Sequence, residues 1–127
     1  GKSLHPNAIT NMANEVKNNE YLTVWGNGDR QMQYPYIEDV IKFIVRSPNL
    51  SPGIYNLGAN DYSSVLDTAN QIAHYFGGKV KKLPEKVEGF TLPFMKNDKI
   101  VAASDMRFSS NQAVNLKTYL SQLTNSL

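Results

Sequence analysis

Cysteine is absent from this 127-residue sequence, which excludes disulfide bonds and zinc sites built on thiolates. The two histidines, His5 and His74, lie far apart and form no His-Glu-x-x-His pattern, so a histidine-based zinc or general-base site is not expected. No apolar run approaches the roughly 20 residues that a membrane span needs, and residues 1–3 do not lead into the apolar core of a signal peptide. We therefore expect a soluble, cytoplasmic protein without a membrane partner.

Strong charge of one sign is also lacking, because 13 Lys and Arg residues against 11 Asp and Glu residues leave a net charge of +2. The one basic cluster, Lys79, Lys81 and Lys82, is too small to contact many phosphates, so no nucleic-acid partner is expected. The length fits a single domain. Since the chain begins at Gly1 without an initiator methionine, we expect residues 1–127 to be one domain of a longer protein.

Hydrophobic periodicity and turn residues predict an α/β fold with a small mixed sheet and about four helices. The predicted helices are residues 6–18, a helix that opens at Glu38, a helix from Ser63 or Ser64 to Gly77-Gly78, and a terminal helix after Ser109 or Ser110. The predicted strands are residues 21–25, 32–37, 54–58, 79–83 and 99–103. Pro35 places the second strand at a sheet edge or ends it, and residues 84–94 are predicted to be a long loop.

The helix that opens at Glu38 is predicted from its acidic first residues and from the apolar residues that follow them. Glu38 and Asp39 suit the positive end of its dipole. Its buried face is expected to consist of the apolar residues that recur at helical spacing, namely Val40, Ile41, Ile44 and Val45.

Two partial motifs of nucleotide-dependent oxidoreductases are incomplete. The turn Gly26-Asn27-Gly28 has Gln31 where a dinucleotide-binding loop needs a third glycine, and a strand rather than a helix is predicted to follow. Tyr75 and Lys79 have the spacing of a catalytic Tyr-x-x-x-Lys pair, but Gly77 and Gly78 would break the helix that such a pair needs. The sequence also contains no Walker motif and no Gly-x-Ser-x-Gly elbow.

Three segments resemble one enzyme family. Residues 22–28 (LTVWGNG), 34–40 (YPYIEDV) and 53–58 (GIYNLG), followed by a Ser-capped helix, resemble the C-terminal part of the NAD-dependent epimerase/dehydratase family, the extended short-chain dehydrogenases. In that family a hydrophobic strand ends in Gly-Asp-Gly, an Arg-Asp-Phe-hydrophobic-Tyr-Val-x-Asp-Val segment opens a helix, and a later strand carries Tyr-Asn-x-Gly. The spacing from Gly28 to Asp39 fits without a gap, and the resemblance covers roughly residues 6–80.

This resemblance implies the C-terminal, substrate-binding lobe of an extended short-chain dehydrogenase without its Rossmann domain. In complete enzymes the N-terminal Rossmann domain carries the NAD(P) loop and the catalytic Tyr and Lys. We therefore expect this chain alone to bind no NAD or NADP and to catalyse no reaction. The implied partners are the missing Rossmann domain and a nucleotide-sugar. Residues 54–58 would form an edge strand of the Rossmann sheet, and their unpaired edge predicts a homodimer.

Five residues are the candidate substrate contacts: Thr23, Trp25, Arg30, Met32 and Arg107. By resemblance, Thr23 and Trp25 lie where the family strand approaches the nucleotide base, on which an indole can stack. The family's diphosphate-binding arginine falls on Met32, whose thioether cannot make charge-assisted bonds. Arg30 points to the same face two residues away and is the candidate substitute.

Arg107, or alternatively Lys96, is the candidate stand-in for the family's second arginine. A structural role remains an alternative to substrate contact at these positions: Trp25 would then belong to the core or to an interface, and the charged residues would lie on the surface. Asp39 and Asn56 match family positions, but helix capping and strand structure explain them.

Two functions fit these patterns. The first is the substrate-recognition domain of an NAD(P)-dependent sugar-nucleotide epimerase or dehydratase. The alternative is a non-catalytic, epimerase-like binding or regulatory module, which Met32 at the arginine position favours. A glycine-rich loop and a Tyr-x-x-x-Lys pair upstream of this sequence would favour the enzyme, and the loss of either would favour the module.

Overall fold

The computed structural model describes residues 8–34, 37–89, 91, 93–108 and 112–126. These residues form five α-helices, a short 3-10 helix and two small sheets, which confirms the α/β class. In chain order the elements are α1 (Ala8–Asn19), β1 (Tyr21–Trp25), β2 (Gln31–Met32), α2 (Ile37–Arg46), the 3-10 helix (Ser47–Asn49), β3 (Ser63–Ser64), α3 (Val65–Tyr75), β4 (Lys79–Leu83), α4 (Asp98–Ser104) and α5 (Gln112–Ser126). None of the helices in the described part of the chain is long and apolar enough to cross a membrane.

The strand pairing is mixed, as predicted, and is divided between one parallel and one antiparallel sheet. β1 pairs in parallel with β4, in a register that runs from Tyr21 opposite Lys79 to Trp25 opposite Leu83. β2 pairs antiparallel with β3 over two residues on each strand. Parallel strands need a long crossover connection, and here the crossover contains α2, α3 and the second sheet.

The main hydrophobic core lies where α1 and α3 pack against β1 and where α5 packs against α3. β1 contributes Leu22 and Val24, since alternate residues of a strand point to one face, while Tyr21 and Trp25 are exposed. The helices contribute the remaining fully buried side chains, listed here as Ala13, Val16, Ala69, Ile72, Ala73, Leu116, Leu120 and Leu123.

Helix α3 begins and ends as the sequence predicts. The Ser64 Oγ accepts a hydrogen bond of 3.0 Å from the Asp67 backbone N–H, which is a normal N-cap. Gly77 has a φ of +73°, a conformation that glycine adopts without strain, and ends the helix. Tyr75 therefore lies at the end of α3 and Lys79 in β4, so the two residues share no helix face.

Helix α2 forms at the predicted place but buries a different face. Its fully buried side chains are Asp39 and Phe43, and Phe43 packs at 4.6 Å between ring centroids on Phe108 in a second, smaller core. Ile44 is 58% exposed and Val45 is 70% exposed. The predicted buried face was therefore wrong for these residues and for Ile41, because periodicity groups residues on one face but does not say which face meets a neighbour.

Three predicted strands were wrong in extent or type. The strand over residues 32–37 is only Gln31–Met32, because α2 already begins at Ile37; Pro35 lies outside the described residues. Residues 99–103 lie in helix α4, which turns Ile100 inward and leaves Ala102 and Ala103 exposed. The short apolar run of residues 100–103 fits a short helix as well as a strand, because four residues do not show a period.

Residues 54–58 form no strand. Instead, side chains bind their carbonyl groups: the Lys99 Nζ donates to the Ile54 carbonyl at 2.7 Å, and the Asn97 Nδ2 donates to the Gly58 carbonyl at 3.0 Å. A strand needs a neighbour for its ladder, and no described segment of this chain runs beside residues 54–58 in a sheet. Ile54 is 83% exposed as a result.

The corrected face of α2 can be tested by comparing Phe43→Ala with Ile44→Ala. We expect Phe43→Ala to lower the free energy of unfolding by about 3 to 5 kcal/mol, because a buried aromatic ring is lost and a cavity remains. At a concentration where the chain is monomeric, Ile44→Ala should change it by less than about 0.5 kcal/mol, since that side chain is largely exposed. Urea denaturation followed by circular dichroism measures both, and a larger cost for Ile44→Ala would contradict the observed packing.

Candidate functional site

The site begins at the turn that follows β1. Gly26 and Gly28 have φ values of +62° and +73°. A Cβ on Gly28 would lie 2.7 Å from the Val24 Cγ1 and 2.8 Å from the Leu66 Cβ, so the turn approaches α3 more closely than any other residue would allow. The Leu66 N–H donates to the Gly28 carbonyl at 2.9 Å, and the Val65 N–H donates to the Arg30 carbonyl at 2.8 Å. The turn is therefore fixed to the first turn of α3, and it places Arg30 beside the end of β1.

A second segment, the loop after β4, lies along this turn and along β2. Side chains provide the connections: the Gln31 N–H donates to the Thr91 Oγ1 at 3.0 Å, and the Arg30 N–H donates to the Glu88 Oε1 at 2.9 Å. The Gln33 amide group both accepts from the Met95 N–H at 2.8 Å and donates to the Met95 carbonyl at 2.9 Å. The predicted loop after β4 is confirmed, and it forms one wall of the site.

The first cavity between these segments has a volume of about 400 Å³ and is called here the tryptophan cavity. Trp25 is 56% exposed there, with the Lys86 Nζ 5.8 Å from its ring centroid. The cavity is lined by Met12, Thr23, Val24, Trp25, Arg30, Val65, Val87, Glu88 and Gly89. The cavity therefore contains an accessible indole and the cation of Arg30, and most of its other lining side chains are apolar.

The second cavity has a volume of about 270 Å³ and is called here the tyrosine cavity. Tyr62 packs edge-on against Phe94 at 4.8 Å between ring centroids. Burial raises the pKa of Tyr34, whose hydroxyl lies 3.3 Å from the Thr68 Oγ1, so Tyr34 stays neutral near pH 7. The cavity is lined by Arg30, Gln31, Met32, Gln33, Tyr34, Tyr62, Pro93 and Met95.

Arg30 belongs to both cavities and stands at their common wall. Its guanidinium lies against Gly89, where a Cβ would be only 2.9 Å from the Arg30 Nη1. Within the part of the chain that the structure describes, this half-buried guanidinium has no carboxylate within 4 Å and donates no hydrogen bond. A guanidinium with unused donors in a partly desolvated position favours an anionic ligand.

Thr23 lines the tryptophan cavity, but its own polar groups are engaged. Its backbone N–H and its hydroxyl donate to the same carboxylate oxygen, Glu15 Oε1, at 3.0 and 2.8 Å. The backbone N–H belongs to the edge of β1 that does not face β4, so Glu15 covers an edge that would otherwise be open. Thr23 thus shapes the cavity wall while Glu15 holds it in place.

The structure brings together four of the five candidate residues. Thr23, Trp25 and Arg30 line the tryptophan cavity, and Met32 lines the tyrosine cavity beside Arg30. Arg107 is exposed, precedes the buried Phe108 and lines neither cavity, so the structure does not join it to the others.

Sequence reasoning missed Glu15, Glu88 and Tyr62. Glu88 and Tyr62 reach the site from segments that carry no motif, and Glu88 lies 58 residues from the backbone N–H that it accepts. A spacing rule along one element cannot detect such a pair. Glu15 had one usable signal, since it lies on α1 close to β1 in the sequence.

Few ionisable side chains of the described residues line the two cavities. Besides Arg30, their ionisable side chains among the described residues are Glu88, Tyr34 and Tyr62. No group of three His, Asp or Glu side chains among those residues could hold a metal ion.

The residues around Gly26 and Gly28 do not fit the phosphates of a dinucleotide. The turn leads into β2 and not into a helix N-terminus, and its carbonyls already use the first N–H groups of α3. The Glu88 carboxylate lies against Gly26, where it would repel a phosphate.

Comparison with known proteins confirms the resemblance drawn from the sequence motifs. Residues 1–58 match the model of the NAD dependent epimerase/dehydratase family. No curated protein sequence matches the chain. Solved structures with the same fold include epimerases and dehydratases.

The UDP-N-acetylglucosamine 4-epimerase from Bacillus cereus superposes with a TM-score of 0.77 at 20% identity, over 97% of this chain and 41% of that chain. The dTDP-glucose 4,6-dehydratase from Bacillus anthracis, in complex with NAD, gives a TM-score of 0.73 at 14% identity, over 88% of this chain and 37% of that chain. The UDP-glucuronic acid 4-epimerase from Bacillus cereus was solved in complex with UDP-glucuronic acid and NAD. It gives a TM-score of 0.72 at 20% identity, over 92% of this chain and 40% of that chain. The chain thus spans about two fifths of the length of these solved proteins.

Proposed function

We propose that this chain is the substrate-recognition domain of an NAD(P)-dependent sugar-nucleotide epimerase or dehydratase that works in the cytoplasm. In this proposal residues 1–127 are one domain of a longer enzyme. The NAD loop and the catalytic Tyr and Lys belong to a Rossmann domain outside this sequence. The match of residues 1–58 to the family model and the fold of the solved epimerases and dehydratases support the class of enzyme.

One observation carries the proposal for the substrate, namely the position of Arg30 between the two cavities. A nucleotide-sugar consists of a flat base, a diphosphate with two negative charges and a polar sugar. The tryptophan cavity offers the exposed Trp25 ring for stacking on the base. Arg30 offers unused guanidinium donors to the diphosphate, and the tyrosine cavity offers hydroxyl and amide groups to the sugar.

The neighbours support this assignment by what they bind. The similar UDP-glucuronic acid 4-epimerase was solved with UDP-glucuronic acid and NAD, and the similar enzyme WbmG from Bordetella bronchiseptica, at 12% identity, was solved with NAD and UDP. A nucleoside diphosphate is therefore the ligand class that we assign to Trp25 and Arg30. In this proposal Met32 makes only apolar contact, and Arg30 supplies the charge that Met32 lacks.

Met32 at the arginine position also favours the second function, a non-catalytic binding module of the same fold. In that case the chain would still bind a nucleotide through Trp25 and Arg30, but the longer protein would lack the catalytic Tyr and Lys. The coding sequence upstream of Gly1 distinguishes the two functions.

The partner of this domain in the proposed enzyme is the Rossmann domain, and α2 offers a surface for it. Ile41, Ile44 and Val45 lie at helical spacing on one face and are 52%, 58% and 70% exposed. An apolar stripe that points away from the domain's own core is typical of a surface covered by another domain or chain. The solved proteins have about three fifths of their length beyond the part that this chain covers. Without that partner, the same face would favour a homodimer, whereas residues 54–58 form no strand edge that could pair.

The role of Arg30 can be measured by titrating the chain with UDP, dTDP and GDP in a calorimeter. We expect Arg30→Ala to weaken binding by about 1.5 to 3 kcal/mol, or roughly 10- to 150-fold, through loss of a charge-assisted contact. Arg46→Ala is a matched control, since this exposed arginine lies at the end of α2. Equal affinities of the Arg30→Ala protein and the parent chain would place Arg30 outside the binding site. Failure of all three nucleotides to bind would contradict the proposed function.

The chain alone is expected to bind no NAD(H) in the micromolar range and to convert no nucleotide-sugar. The residues around Gly26 and Gly28 do not fit dinucleotide phosphates, and Tyr75 and Lys79 cannot act as a pair. Calorimetry with NAD and NADH, together with an assay of UDP-sugar turnover, tests this. A micromolar dissociation constant for NAD would show that a dinucleotide site exists within these residues.

The apolar face of α2 is expected to cause self-association of the isolated chain. Replacing Ile44 and Val45 together by glutamate should shift the chain toward the monomer, because like charges would meet in an apolar contact. Glutamates at Lys117 and Thr118, which are exposed on α5, form the control. Sedimentation velocity at several concentrations measures the association. A parent chain that stays monomeric at high concentration would contradict the homodimer.

A further inference from the structure

One carboxylate, that of Glu88, joins the loop after β4 to the turn after β1, next to the bond from Gln31 to Thr91. The Arg30 backbone N–H donates to the Glu88 Oε1 at 2.9 Å, although the two residues are 58 positions apart. Arg30 does not belong to the short β2–β3 ladder, so its N–H has no strand partner there. Glu88 supplies the acceptor that a buried or half-buried N–H needs.

Two glycines make this contact sterically feasible. A Cβ on Gly26 would lie 2.8 Å from the Glu88 Cγ, and a Cβ on Gly89 would lie 2.9 Å from the Arg30 Nη1. Each glycine therefore makes room for the charged side chain of the opposite segment. We call this reciprocal arrangement of Gly26, Arg30, Glu88 and Gly89 the clasp.

Within the clasp, the two opposite charges of Glu88 and Arg30 do not form an ion pair. Glu88 and Arg30 have opposite charges and lie side by side, yet the carboxylate binds the backbone of Arg30 and makes no ion pair with its guanidinium within 4 Å. The guanidinium thus keeps its donors for a ligand. A direct salt bridge would have neutralised it and would have to be broken on binding.

Other contacts of residues 84–89 with the turn are weak. The Lys86 ammonium lies 5.8 Å from the Trp25 ring centroid, and Val87 is 84% exposed. Exposed contacts of this kind contribute little. Among the described residues, the bond from Glu88 to the Arg30 backbone is therefore the main connection of the wall formed by Val87, Glu88 and Gly89, and the next connection is the bond from the Gln31 N–H to Thr91.

We infer that Glu88 is a positioning residue that closes the tryptophan cavity and fixes the Arg30 guanidinium between the two cavities for a nucleoside diphosphate. The inference rests on the proposed function for the ligand, whereas the clasp itself does not depend on it. Glu88 acts through Arg30 and touches no phosphate, since its own negative charge would repel one.

The test compares Glu88→Ala, Glu88→Gln and Gly89→Ala in the 127-residue chain, with Glu85→Ala as the control. Glu85 is an exposed glutamate of the same loop. Amide hydrogen exchange of Arg30, followed by NMR, reports the bond directly, and calorimetric titration with UDP, dTDP and GDP reports the ligand site.

We expect Glu88→Ala to speed exchange of the Arg30 amide about tenfold and to weaken nucleotide binding by a similar factor. Glu88→Gln keeps an acceptor oxygen and should restore both values to within about threefold. Gly89→Ala should weaken binding while the Arg30 amide stays protected, because the new Cβ displaces the guanidinium and not the backbone. Glu85→Ala should change neither value.

Two outcomes would overturn the inference. If the Arg30 amide exchanges equally fast in the parent chain and in Glu88→Ala, the clasp does not hold the backbone. If Glu88→Ala frees the amide but leaves nucleotide affinity unchanged, Glu88 has a purely structural role. Failure of the proposed function looks different, because the parent chain would then show a protected Arg30 amide and bind none of the three nucleotides.

Discussion

The parallel pairing of β1 with β4 is the constraint on which the candidate site depends. Because parallel strands end at the same edge of a sheet, Trp25 and Leu83 lie opposite each other and the segments that follow them leave side by side. The Gly26 N–H extends this pairing by donating to the Leu83 carbonyl at 2.9 Å. The glycine turn and residues 84–89 are thereby brought together, although more than 50 residues separate them in the chain. An antiparallel pair would have sent the two segments to opposite ends.

Helix α3 connects the main core to the turn that follows β1. Its inner face fills the main core with Ala69 and Ile72, and its first turn donates N–H groups to the carbonyls of Gly28 and Arg30. One end of the helix is thus buried in the core while the other fixes the binding turn. The backbone of Arg30 is held on both sides, because its carbonyl accepts from the Val65 N–H of α3 and its own N–H donates to Glu88.

The helices differ in how far their apolar residues are buried. Around the main core, α1, α3 and α5 bury their apolar residues against β1 and against one another. On the other side, Phe43, Ile100 and Phe108 form a small core, and the adjoining helix α2 presents Ile41, Ile44 and Val45 to the outside. The solved epimerases and dehydratases contain more than twice the length of chain that this domain covers.

Local sequence signals determined the elements whose residues interact with near neighbours. Short-range sterics and hydrogen bonds fix these elements, so the sequence shows them. They are the N-cap at Ser64, the helix end at Gly77, the strand of residues 21–25 and the periodicity of α3 and α5. The motifs around Gly28 and Asp39 also gave the resemblance to the NAD-dependent epimerase/dehydratase family, whose model matches residues 1–58. Tertiary structure alone decided the rest. Segments far away in the chain decide three features: which face of α2 is buried, whether residues 54–58 find a strand partner, and which side chains contact Arg30. A sequence pattern carries the period of an element, but contact between distant segments is set by how the whole chain packs.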